Sequence, residues 1–148
     1  MTMAKRILTP IGEGDRSDAI VPIIGALAQG AGSSVRLVRV FAVPTEVVDA
    51  NGRVIAYGHQ QMERLTADGL DELTRVQAQL QGIPVETVVR FGEPVEEILL
   101  EAEAFDADLI ALAAPARGRV RAALAPGLAE RLERRASVPT LTVRGPHA

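Results

Sequence analysis

Aliphatic residues return along this chain in two alternating rhythms. Five short runs are β-like in their content of Val, Ile and Leu: residues 6–11 (RILTPI), 34–43 (SVRLVRVFAV), 85–91 (VETVVRF), 109–113 (LIALA) and 140–144 (TLTVR). They predict strands centred on Leu8, Leu37, Val88, Ile110 and Leu141. Between them lie stretches with helical spacing. Ser17 offers an N-cap to an apolar helix over residues 17–29, stopped by Gly30 and Gly32, with Pro22 early enough to give a slight kink or a later start. Met62, Leu65, Leu70, Leu73, Val76 and Leu80 mark a second helix over residues 60–80. Pro94 opens a third, whose buried face is Ile98, Leu99, Ala102 and Phe105. A fourth is predicted around Leu128 to Arg135.

Residues 44–58 carry Asn51-Gly52 between Val47-Val48 and Val54-Ile55, which reads either as a β-hairpin or as an excursion of a connecting loop. Strands alternating with helices predict one α/β domain over residues 1–148, a parallel, doubly wound sheet with helices on both faces.

Composition supports this without adding chemistry. The chain has 148 residues, 47% hydrophobic and 24% charged, with 3% aromatic residues and no Trp, so its core is aliphatic. A net charge of −3 predicts no nucleic-acid surface. The absence of cysteine excludes disulfides, thiolate nucleophiles and Cys-based metal sites. No apolar run approaches the ~20 residues of a membrane span, and the first residues lack a signal-peptide pattern, so a cytoplasmic protein is expected.

The second half carries a more specific pattern. Ala107-Asp108-Leu109-Ile110, then Ala129-Glu130-Arg131-Leu132, then Val138-Pro139-Thr140-Leu141-Thr142-Val143-Arg144 follow one another. These closely resemble the A-D-L-I, G-S-V-A-E-R and C-P-V-L-V-V-R segments of the universal stress protein family. Ile7-Leu8-Thr9-Pro10-Ile11 resembles that family's I-L-V-P-V-D opening, and Gly92-Glu93-Pro94 its G-x-P turn. The resemblance implies a Rossmann-like five-stranded sheet in the order 3-2-1-4-5. It also implies a homodimer through the last strand, Thr140–Arg144, and an unidentified protein partner.

Many members of the family bind ATP at the carboxyl ends of the strands through a G-x2-G-x9-G-[ST] loop and an Asp after the first strand. The family's nucleotide positions fall here on Pro10, Gly12, Val40, Ala113, Ala116, Arg117, Pro126, Gly127 and Leu128. Gly12 replaces the Asp, Ala113 and Ala116 replace loop glycines, Pro126 replaces the last glycine, and Gly127 replaces the Ser/Thr. Proline removes an N–H donor and fixes φ, and alanine is penalised wherever φ must be positive. The expectation is a site that does not function for ATP, and no cofactor.

Arg117, Arg119 and Arg121 are either an anion-binding cluster or a solvated loop. Glu13 and Asp15 read as solvated loop acids, His59 and His147 carry no metal or base role, and Glu96, Glu97, Glu101 and Glu103 read as the polar face of a helix. No catalytic motif is found, so an enzyme is not expected. The leading expectation is a stress-response or regulatory module acting through homodimerisation and protein contacts. The alternative is a small-ligand module holding a nucleotide or another anion through its Arg-rich loop.

Overall fold

The computed structural model describes residues 5–12, 17–45, 47–114 and 127–144. In chain order its elements are β1 Arg6–Pro10, α1 Ser17–Ala31, β2 Ser34–Phe41, β3 Val47–Val48, β4 Val54–Ala56, α2 Gly58–Gln77, β5 Val85–Phe91, α3 Pro94–Phe105, β6 Leu109–Ala114, α4 Leu128–Arg135 and β7 Thr140–Arg144. The main sheet runs β5-β2-β1-β6-β7, which is 3-2-1-4-5 when its own strands are counted along the chain. Every pairing in it is parallel, with Leu8 opposite both Arg36 and Ile110.

Parallel strands need crossovers, and the helices that supply them cover both faces. Adjacent residues of β1 therefore enter different cores. Ile7 packs with Ile11, Ile20, Ile24, Leu73 and Leu80 beneath α1 and α2. Leu8 packs with Val95, Ile98, Phe105 and Leu132 beneath α3 and α4. Fully burying an aliphatic side chain of this size contributes about 1.5–3 kcal/mol, so these two layers drive the fold. Between β2 and β5 the sheet is covered closely by α2. A Cβ added to Gly69 would stand 2.9 Å from Phe41 Cε2 and 3.0 Å from Val89 Cγ2.

Element ends follow local chemistry. α1 continues through Pro22 and Gly30 and stops at Gly32, where φ is +67°. Ser33 N then donates to Ala28 O at 2.9 Å, closing a Schellman turn. Ser17, expected as the N-cap, is already the first helical residue. At the end of α3 the same turn is built on Asp106, whose φ of 57° occupies the position glycine usually takes. α2 begins two residues earlier than its apolar spacing predicts. It ends at Gln77, after which Gln79 N and Leu80 N donate to Val76 O and Gln77 O in a tighter turn.

The second strand ends at Phe41 rather than at residue 43, because Val43 leaves the sheet for solvent. Of the two readings of residues 44–58, the hairpin holds: β3 and β4 pair antiparallel. Its loop is built by Asp49, whose Oδ1 accepts from Asn51 N and Arg53 N at 2.9 Å each, with Gly52 at φ +82°. A three-residue turn closed by a left-handed glycine matches these bonds.

Candidate functional site

Ligands in open α/β sheets bind at the carboxyl ends of the strands, where the strand order reverses. Here that point lies between β1 and β6. Pro10 closes β1 opposite Val38, and Ile11 N still donates to Val38 O at 2.8 Å, which holds the exposed Gly12 at the sheet's rim. Val40 lies on neighbouring β2 and packs toward α3 and α4. Ala113 sits near the end of β6, opposite Val143 of β7. Gly127 and Leu128 open α4, with Leu128 half-buried on the same core. The fold thus gathers Pro10, Gly12, Val40, Ala113, Gly127 and Leu128 at one end of the sheet. Ala116, Arg117 and Pro126 lie outside the described residues, as do Glu13, Asp15, Arg119, Arg121 and His147.

Space is available where chemistry is missing. Among the described residues a Cβ on Gly12 would meet nothing within 4 Å, so none of them crowds a side chain at this rim position. Gly127 has φ −74°, a backbone any residue adopts, so glycine is not required by its conformation. What occupies that corner is Glu130. A Cβ on Gly127 would fall 2.6 Å from Glu130 Oε2. Arg144 Nη2 donates to Glu130 Oε1 at 2.7 Å. That bond, aided by the backbone N–H groups of Glu130 and Gly127, holds the Glu130 carboxyl below its ordinary range. Glu130 is the third helical residue reaching back to the residue before the helix, which is half of a capping box. With glycine in the capping position, the hydroxyl half is absent.

α3 is capped from the other side, by the side chain of the residue just before the helix. Glu93 accepts from Val95 N at 3.2 Å and from Glu96 N at 3.1 Å, and Arg131 Nη2 donates to its Oε2 at 2.6 Å. Desolvation pushes the Glu93 carboxyl up, but these donors outweigh it and hold the group below its ordinary value. Two glutamates tied to two arginines therefore fill the amide ends of α3 and α4.

Glu101 corrects the expectation of a solvated acidic face on α3. It is 3% exposed. It accepts from Arg36 Nη1 and, at 2.7 Å, from Arg90 Nη1. Arg36 also donates to Glu86 at 2.8 Å and Arg90 to Glu97 at 2.9 Å, while Arg36 lies 4.4 Å over the Phe105 ring. Burial works against the Arg36 guanidinium, and its bonds to Glu86 and Glu101 more than restore it. Every carboxylate here is spent on a guanidinium, which makes a structural clamp rather than an acid–base pair. The sequence signal was available: Arg36 and Arg90 interrupt aliphatic strands, and an inward arginine needs a carboxylate.

At the opposite rim, Lys5, Arg6, Asp106, Asp108, Ser137 and Val138 line an open groove of about 430 Å³. Asp108 there is spent on Lys5 N and Arg6 N at 2.9–3.1 Å, tying β1 to the entry of β6. Among the described residues no group of three or more His, Asp or Glu is placed to hold a metal ion. None of their helices is long and apolar enough to cross a membrane. The rings of His59 and Tyr57 lie tilted to each other, with centroids 6.1 Å apart.

Solved structures share this architecture. The hypothetical protein MJ0577 is 20% identical, covers 99% of this chain and 100% of its own, and superposes with a TM-score of 0.78. The universal stress protein UspA from Lactobacillus plantarum is 17% identical over 97% of this chain and 100% of its own, with a TM-score of 0.76. A universal stress protein from Archaeoglobus fulgidus, solved in complex with dAMP, is 14% identical over 96% and 99%, with a TM-score of 0.61. No curated protein matches the chain. At these identities the structures speak for the fold; the family rests on sequence, since the model of the universal stress protein family matches residues 3–144. With that match spanning nearly its whole length, the chain belongs to the universal stress protein family.

Proposed function

We propose that this universal stress protein domain is a regulatory module that does not hold ATP, catalyses no reaction, and acts as a homodimer through protein contacts. The observation that carries the reading is Gly12. At the rim of β1, with no atom of the described residues within 4 Å of where a Cβ would stand, it presents no side-chain acceptor to an adenosine. Losing one hydrogen bond to a charged group removes roughly 1.5–3 kcal/mol of binding, about tenfold or more in affinity. At the phosphate end Gly127 lacks a hydroxyl, and Glu130 places a carboxylate beside it. The homodimer is proposed through β7, whose five residues are all half-buried and whose outer edge pairs with no described strand.

Calorimetry tests the ligand half: no heat of ATP binding is expected at micromolar concentrations, and a low-micromolar dissociation constant overturns it. Sedimentation equilibrium tests the assembly half, with a dimer expected and its loss expected on Leu141→Asp or Val143→Asp.

A second reading has one observation in its favour. The structurally similar protein from Archaeoglobus fulgidus was solved with dAMP, so this architecture accommodates a nucleotide monophosphate. On that reading Arg117, Arg119 and Arg121 hold the anion. A thermal-shift series with AMP, ATP and inorganic phosphate separates the two, because a ligand of the folded state raises its stability by mass action.

A further inference from the structure

β5 pairs on one side only, with β2. Its register is fixed at both ends: Val35 N donates to Pro84 O and Gly92 N to Phe41 O, each at 2.9 Å. Alternation along a parallel ladder then turns the backbone groups of Glu86, Val88 and Arg90 toward β2, and those of Val85, Thr87, Val89 and Phe91 outward. Gln77 Nε2 closes one of the outward carbonyls, that of Val85, at 3.3 Å. Among the described residues no strand meets the rest of this edge. All seven residues of β5 are half-buried or exposed, whereas β1 and β6 each bury three or more.

Turned end for end about Val88, this strand matches itself. Val85 falls opposite Phe91, Glu86 opposite Arg90, and Thr87 opposite Val89. Hydrogen-bond parity agrees with that register. Thr87 and Val89, whose groups point outward, form the bonded pairs, while Glu86 and Arg90 fall at the non-bonded pairs, where side chains approach most closely. The internal ion pairs leave atoms for such a contact. Arg36 engages Glu86 through Oε1 alone, with the Glu86 side chain 62% exposed. Arg90 spends Nε on Glu97 and Nη1 on Glu101. Among the described residues no hydrogen bond engages Glu86 Oε2 or Arg90 Nη2, which leaves both for a partner strand, twice over by symmetry.

We infer that the outer edge of β5 is an interaction surface for a second copy of this chain, joined antiparallel about Val88 with Glu86 of each copy facing Arg90 of the other. The contact is independent of the β7 pairing proposed above, which lies at the other edge of the sheet. An edge of this length buries far less than the roughly 1,600 Å² of a standard interface, so the association is weak and is read best by trapping it.

The chain has no cysteine, which makes trapping specific. Val88→Cys places two thiols across a non-bonded pair on the symmetry axis, at a separation a disulfide spans. Thr87→Cys places them off the axis and serves as the control. Under mild oxidation Val88→Cys is expected to form the covalent dimer about tenfold faster than Thr87→Cys, and adding Glu86→Lys, which sets like charges opposite, slows it by a similar factor. Equal rates for the two cysteines, or indifference to Glu86→Lys, overturn the inference. Should Val88→Cys fail to fold, sedimentation equilibrium of the native chain against Glu86→Lys decides instead, and equal self-association overturns it. Because cross-linking reports position, a β7 dimer neither mimics nor hides the result, and failure here leaves the ATP and β7 readings standing.

Discussion

Arg90 Nη1 stands 2.7 Å from a carboxylate oxygen of Glu101, and only 4% of the Glu101 side chain reaches solvent. Arg36 holds the other oxygen, so one buried carboxylate on α3 bolts together β2 and β5. Truncating Glu101 to Ala leaves two guanidinia facing a cavity. Breaking a buried pair costs about 3–5 kcal/mol, and because both arginines keep some exposure the lower end is expected. Urea unfolding should show about 3 kcal/mol lost for Glu101→Ala. Glu86→Gln, on the exposed arm of the same network, should lose under ~1 kcal/mol. Equal effects from the two would refute the clamp.

Thr9 makes the opposite prediction. It lies fully buried in β1, and among the described residues its Oγ1 finds no hydrogen-bond partner. An unsatisfied buried hydroxyl costs about 1–3 kcal/mol, and valine has nearly the same shape without it. Thr9→Val should therefore stabilise the domain by about 1 kcal/mol, raising the melting temperature by roughly 2–4 °C. A drop in melting temperature would mean the hydroxyl is bonded in solution.

Gly12→Asp tests what the open rim is worth. A Cβ at this position meets no atom of the described residues within 4 Å. Adenosine affinity should rise about tenfold or more, the value of one charge-assisted hydrogen bond. ATP should bind the variant no tighter than adenosine, since the phosphate end stays unrepaired. ATP binding much tighter than adenosine would show a working phosphate loop.

Acid stability follows from Glu93 and Glu130. Both carboxyls are held below their ordinary value of 4.5 in the folded state by arginine and backbone donors. The unfolded chain thus takes up protons first, so their contribution is complete above pH 4.5 and is lost as pH falls below it through the folded-state values. Glu130→Gln should make the stability curve shallower below pH 4.5 while leaving its shape near neutrality unchanged. An unaltered acid limb would place Glu130 free in solution.

The fold was legible because its central strands are buried on both faces and read as aliphatic runs, and because glycines and prolines sit where the turns need them. Helix ends were less so. Pro22 and Gly30 look like breakers, yet α1 passes through both, because Ile20, Ile24 and Ala28 bury one continuous stripe. The rim position of Gly12 could be read from the end of the first apolar run. The spacing along α3 alone does not show Glu101 as buried, since i, i+4 spacing puts Glu97 and Glu101 on one face without saying what faces them; the signal lies in the two arginines that interrupt aliphatic strands. The partners arrive from residues 36 and 90, on two other strands. Glu130 was legible only as a motif letter. Its tie to Arg144 depends on β7 returning beside α4, a long-range placement that no local pattern encodes.

Ile7 and Leu8 are consecutive and both fully buried, yet they belong to different cores. β1 therefore sits in the middle of the sheet as a single thread through both hydrophobic layers, hydrogen-bonded to β2 on one side and β6 on the other. Neither layer can loosen while β1 stays in place for the other. The two halves of the sheet should melt as one cooperative unit, with the calorimetric enthalpy equal to the van't Hoff enthalpy. Amide protons of Ile7 and Leu8 should exchange only through global opening, last among those of the chain.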